Sequence, residues 1–178
     1  DHDLLAEAPG EAIRLLLLQT HYRQPLDFTR GALAGAKRSL DRFYLALCWG
    51  LPNPTAGEIE GAIARDPRDR KRMAVRSDSS RGKDALTRYR TLAQHAAAVS
   101  LLECRLGTGR THQIRVHLSS ARHSIVGDRL YGAPPQPALG ARFFLHAARI
   151  RVISPATGQP VTIEAPLAPE LLAWIHGL

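Results

Sequence analysis

The sequence predicts an α+β fold in which short strands outnumber helices, preceded by a helical arm of different character. Three observations point to it. Six short apolar runs punctuated by Gly and Pro occupy the later three quarters of the chain, and two segments among them have helical spacing and recognisable starts. The charge is also uneven: the 178 residues carry +8, from 24 Lys plus Arg against 16 Asp plus Glu. Residues 1–44 hold six basic and six acidic groups, whereas 45–178 hold 18 basic and 10 acidic, so the later segment supplies the entire excess. Two regions follow, 1–44 and 45–178.

The first region reads as helical. Residues 10–18 are rich in helix formers, Pro25 interrupts, and Thr29 is positioned to cap a second helix through Leu33, Ala36, Leu40 and Phe43. In the second region the spans 44–49, 57–63, 85–92, 101–106, 150–153 and 161–165 read as strands, with a Pro/Gly-rich turn over 155–160. A helix is expected to start at Thr111 and run through Ile114, Leu118 and Ala121. Pro169 opens a last helix that ends near Gly177. There is no internal repeat.

Composition bounds the function. A basic chain of globular hydrophobicity calls for a polyanionic partner, nucleic acid first. Cys48 and Cys104 are too few and too far apart for a disulfide framework or a C-x-x-C pair, so the setting is expected to be reducing and cytoplasmic. The apolar run at 15–18 is far too short for a membrane anchor. The chain opens at Asp1 and its single methionine is Met73, which reads as a trimmed or incomplete reading frame.

The densest cluster of functional side chains is Thr108-Gly109-Arg110-Thr111-His112-Gln113-Ile114-Arg115-Val116-His117-Leu118. Here a strand ends, a glycine permits a tight turn, and a helix opens with hydroxyl, imidazole, amide and guanidinium groups on its first turns. Free backbone N–H groups beside Arg110 and Arg115 suit a phosphate or a carboxylate. A solvated basic helix start with a hydrogen-bonded histidine is the alternative.

The string TGRTHQIRVHL, followed by IVGDRLYG at 125–132, resembles the signature of the RluA family of RNA pseudouridine synthases. YLALCWGLPNP from Tyr44, IEGAIARDPRDRKRMAV, GKDALTRYRTL from Gly82 and FFLHAARIRVISPATGQPVTIEAPL extend the resemblance over about 44–170. It departs at Arg122 and Ser124, where the family has Gly and Pro. The resemblance implies a mixed, largely antiparallel sheet flanked by helices, partial here because the family's N-terminal half is missing. It also implies isomerisation of uridine to pseudouridine in ribosomal or transfer RNA, by a monomer, with no metal or organic cofactor. The target nucleotide is flipped into a pocket, an aspartate acts at the sugar, and the base detaches, rotates and rejoins through carbon. Tyr44 matches the tyrosine that packs on the base. Arg115 matches the arginine that pairs with the catalytic carboxylate, and Arg110, Thr111, His112 and Gln113 shape the same RNA-binding wall. Asp128 and Gly127 read as a turn, and His146 as a packing histidine. Segment 65–90, with ten basic and four acidic groups, reads either as an RNA-contacting hairpin, with Arg70, Lys71 and Arg72 on phosphate, or as a solvated loop.

The family's H-R-L-D-x-x-T-S-G type motif, which carries the nucleophile, is absent. Asp27 echoes it weakly in Leu26-Asp27-Phe28-Thr29, only 17 positions before Tyr44 (44 minus 27), and Asp41 is a weaker substitute. Residues 1–44 instead resemble a helical part of cysteinyl-tRNA synthetase, although neither nucleotide-binding signature of those enzymes is present. Three readings result: a pseudouridine synthase impaired by the missing motif, a non-catalytic basic RNA-binding remnant or fusion, and a fragment of cysteinyl-tRNA synthetase.

Overall fold

Strand β1 (Asp41–Trp49) buries Ala46, Leu47 and Cys48 in succession, the signature of a strand covered on both faces. The structure is a computed structural model that describes residues 41–76, 82–95, 99–154, 157 and 159–177. The strands that follow are β2 (Ala56–Glu60), β3 (Ala62–Arg65), β4 (Met73–Arg76), β5 (Leu86–His95) and β6 (Val99–Leu106). Helix α1 (Gln113–Ser120), strands β7 (Leu145–Ile153) and β8 (Pro160–Glu164), and helix α2 (Pro169–His176) complete the order. The helix expected over 10–18 and most of the one from Thr29 lie outside the described residues, as does part of the expected turn at 155–160; the end of the second helix, expected to reach Phe43, is instead the start of β1.

The described residues fall into two compact units. The larger, Phe43–Ala148 with 165–177, contains a sheet in the order β2-β5-β6-β1-β7 and, as a separate two-stranded sheet, the β3–β4 hairpin. The β2–β5, β5–β6 and β3–β4 pairs are antiparallel. In the smaller unit, residues 149–153 of β7 pair antiparallel with β8. The observed class is therefore the expected one, a largely antiparallel sheet with few helices.

The main core is built from β1, β6 and the Ile114/Leu118 stripe of α1, closed by Ile125, Val126, Phe144 and Leu171 of α2. Burying a side chain the size of Phe144 contributes about 2–3 kcal/mol. A second, smaller cluster joins Ile63, Ala85, Val116 and Tyr131, with Met73, Val75 and Leu130 packed around them. Helix α1 thus serves both clusters, through Ile114 and Leu118 on one side and Val116 on another.

One expected strand divides. The run 57–63 becomes β2 and β3, broken at Gly61, whose N–H bonds Ala85 O at 3.1 Å and where an added Cβ would meet Val75 Cγ1 at 2.7 Å. Only a residue without a side chain lets the chain leave β5 and pair with β4 here. The basic segment is accordingly a hairpin and not a loose loop. Its tip is closed by two turns in which the carboxylates of Asp66 and Asp69 accept the N–H of Arg68 and Lys71, each at 2.9 Å.

Candidate nucleic-acid interface

The motif turn is held by Gln113, which is 2% exposed. Its Oε1 accepts from Thr108 Oγ1 (2.8 Å) and Arg110 N–H (2.9 Å), and its Nε2 donates to Leu86 O (2.9 Å) and Thr87 Oγ1 (3.1 Å). Every hydrogen-bonding capacity of the amide is met internally. Gln113 is thus held inside the turn, where its amide accepts the Arg110 N–H. His117, next on the same helix, joins the same network through Nδ1 to Thr87 Oγ1 (3.0 Å) and Nε2 to Gly61 O (3.3 Å). Burial lowers its pKa, with the bond to Gly61 opposing.

Arg110 and Thr111 are exposed, and the Arg110 Nε donates to Asp84 O at 3.0 Å. They line an open groove of about 690 Å³, together with Arg65, Met73 and neighbouring residues of the β3–β4 hairpin and with Gly82 and Lys83. Arg65, Lys83 and Arg110 bring three cations to this groove, and among the described residues no acidic side chain lines it. On the hairpin tip Arg68, Arg70 and Lys71 are exposed, while Arg72 is half-buried with its guanidinium 5.5 Å from the Tyr131 ring centre.

The helix start differs from expectation by two residues. His112 adopts a left-handed conformation (φ 56°, ψ 20°), so α1 begins at Gln113 and not at Thr111. Such a backbone costs a non-glycine residue about 1 kcal/mol or more. The His112 Nδ1 lies 2.9 Å from the Tyr131 hydroxyl. Burial and the nearby Arg115 charge lower the His112 pKa.

Among the described residues Arg115 pairs with Asp128. Its Nε and Nη2 donate to the two oxygens of Asp128 at 2.7 and 2.8 Å, with side chains 11% and 1% exposed. The guanidinium also lies 4.3 Å from the Phe143 ring centre and 4.9 Å from that of Tyr131. A bidentate pair between two aromatic rings uses the planar fork of an arginine fully. Asp128, read from sequence as a turn residue, does close the turn, since its C=O accepts the N–H groups of Tyr131 and Ala133 at 3.1 Å. The role missed was its carboxylate. Gly127 makes that placement possible: it sits at φ +81°, and a Cβ there would meet Arg142 O at 2.7 Å.

Tyr44 is half-buried in β1 against the main core. His146 is hydrogen-bonded through Nε2 to Ala165 O at 3.1 Å. Asp27 lies outside the described residues, and Asp41 opens β1. Among the described residues no group of three or more His, Cys, Asp or Glu could hold a metal ion, and no helix is long and apolar enough to cross a membrane.

Comparison with known proteins gives this arrangement a class. Residues 28–120 match the model of the RNA pseudouridylate synthase family, and the chain belongs to that family. Among individual relatives, it is 41% identical over 145 residues to the ribosomal large subunit pseudouridine synthase D of Neisseria meningitidis, covering 76% of this chain and 38% of the relative. It is 46% identical over 134 residues to an uncharacterized RNA pseudouridine synthase of Chloroflexus aurantiacus, covering 75% of this chain and 41% of the relative. The chain thus spans less than half the length of these curated relatives. Among solved structures, human RNA pseudouridylate synthase domain containing 1 superposes with a TM-score of 0.62 at 28% identity, covering 83% of this chain and 70% of that one. The family match begins at residue 28, inside the stretch 1–44 expected from sequence to have a different ancestry; that ancestry is not shown.

Proposed function

We propose that this chain holds a uridine-containing segment of structured RNA for isomerisation to pseudouridine, with ribosomal RNA the first candidate substrate and transfer RNA the second. The carrying observation is the groove lined by the hairpin and the motif turn, where Arg65, Lys83 and Arg110 meet with no acidic side chain among the described lining residues. Cations so arranged bind successive phosphates through salt-sensitive contacts, and the open shape suits a backbone better than a small molecule. The names of the relatives supply the choice of ribosomal RNA.

Gln113 fixes the turn, Arg110 and Lys83 take phosphate oxygens, and Tyr44 packs on the base as the family resemblance implies. The Arg115 charge is committed to Asp128, so its part in this reading is to hold the wall in shape. The 178 residues carry no H-R-L-D type motif. We therefore assign this chain RNA binding with little isomerisation of its own, acting as a monomer in the cytoplasm. The test is tritium release from RNA labelled at uridine C5, run beside an Asp27→Ala variant. Release at background level in both is the expected result. Robust release abolished by Asp27→Ala would overturn the assignment and make Asp27 the nucleophile.

A further inference from the structure

We infer that Tyr131 is a positioning residue that ties the basic hairpin to the motif turn, making one preformed RNA-binding surface from two segments that belong to different sheets. The hydroxyl of Tyr131 lies 2.9 Å from Met73 N, at the start of β4, and 2.9 Å from His112 Nδ1, at the start of α1. These partners are 58 and 19 residues away in sequence. Met73 of the hairpin and Gly109, Arg110 and Thr111 of the motif turn line the same groove.

A backbone N–H only donates, so Met73 donates to the phenol oxygen, and the same hydroxyl is hydrogen-bonded to His112 Nδ1. Burial raises the Tyr131 hydroxyl pKa, while burial and Arg115 lower that of His112, so both partners are neutral near pH 7. The charged groups bearing on this junction are Arg72 from the hairpin, Arg115 from α1 and Asp128 from the turn. The ring itself is 2% exposed, with Arg72 and Arg115 both within cation–π reach.

Among the described residues β3 and β4 pair only with each other as strands; β3 bridges Lys83, Val75 and Met73 pack on the second cluster, and Tyr131 adds a polar tie to the start of β4. β4, the strand that leads back from the Arg68–Lys71 tip, meets Tyr131 at its first residue. A hairpin held there presents its cations in a fixed register with Arg110, and RNA then binds without having to order it.

The RNA half of this inference rests on the function proposed above, so the experiment reads each half separately. Amide hydrogen exchange in the free, unmutated protein should show Met73 protected like core amides such as Leu102, in contrast to Lys71 at the tip. Tyr131→Phe keeps the ring and removes the hydroxyl. It should speed Met73 exchange at least tenfold and shift the pKa of His112, measured by NMR, because the hydrogen bond to its Nδ1 is gone.

Binding of a uridine-containing RNA hairpin should weaken by about five- to tenfold in Tyr131→Phe, with a shallower salt dependence. The variant Arg68→Ser/Arg70→Ser/Lys71→Ser should lose a similar amount, and adding Tyr131→Phe to it should cost little more. An unprotected Met73 amide in the unmutated protein, or an unchanged one in Tyr131→Phe, overturns the tie. Faster exchange with unchanged RNA affinity, or fully additive losses, overturns the positioning role. Expected exchange in a protein with no measurable RNA affinity would leave the tie standing and overturn the RNA function.

Discussion

Replacing Asp128 by Asn takes one charge from a pair that the fold has almost completely removed from water. Two unit charges about 4 Å apart at an effective dielectric of about 20 attract by about 4 kcal/mol. In the variant the Arg115 guanidinium stays where it is, 11% exposed, facing an amide that offers an N–H where it needs an acceptor. Leaving a buried charge without its partner costs about 3–5 kcal/mol. The rings of Phe143 and Tyr131 retain part of the cation's stabilisation, which favours the lower end. About 3 kcal/mol corresponds to a fall in Tm of about 6–12 °C for a chain of this size. Thermal and urea unfolding of Asp128→Asn would check this, with an unchanged urea slope confirming that stability alone has moved. Removing both charges, as Arg115→Met with Asp128→Leu, should recover part of the loss because no unpaired ion remains. A single variant within about 0.5 kcal/mol of the parent would refute the reasoning, since a surface pair behaves that way and a buried one does not.

Helix α1 ends with Arg122 at φ 66°, with Arg122 N–H on Ser119 O and His123 N–H on Leu118 O. Arg122→Gly should therefore stabilise the protein by about 1 kcal/mol in a urea titration. Gly127→Ala should do the reverse, by about 2–3 kcal/mol, because a left-handed backbone and a contact with Arg142 O are both violated. Gln113→Leu strands the Arg110 N–H and Leu86 O inside the turn and should cost about 3 kcal/mol, with RNA affinity falling as Arg110 loses its aim. His112 and His117 both have lowered folded-state pKa values. The stability they contribute is complete above the unfolded value of about 6.5 and declines as pH falls through the folded values. Tm should drop between pH 7 and pH 5, and His117→Gln should flatten that slope.

Much of the fold could be read from residue pattern, because strands such as 101–106 and helices opened by Pro169 carry local signals of burial and capping. The division of 57–63 could not, because Gly61 is forced by a contact with Val75 from a distant strand. At the site, the motif 108–118 announced itself by density of polar groups. Its internal division of labour did not. Gln113 looks like a ligand-facing amide until the carbonyl of Leu86 and the hydroxyl of Thr87 are seen beneath it. The Arg115–Asp128 pair is separated by a helix and two turns, and only a left-handed Gly127 brings the carboxylate round. Tyr131 gave no local sign of its role, since both partners of its hydroxyl come from elsewhere in the chain. The spacing Gly-Asp-x-x-Tyr after two apolar residues was the one available clue.

The central claim is that the groove formed by Arg65, Lys83 and Arg110 grips an RNA backbone. Titrating a structured, uridine-containing RNA against the chain from about 50 to 200 mM salt tests it directly. The account predicts a log–log slope of about −3 to −5, shallower by about 0.7–0.9 in Arg110→Ala, as expected for loss of one phosphate contact. A slope near zero, or one that Arg110→Ala and Lys83→Ala leave unchanged, would contradict it.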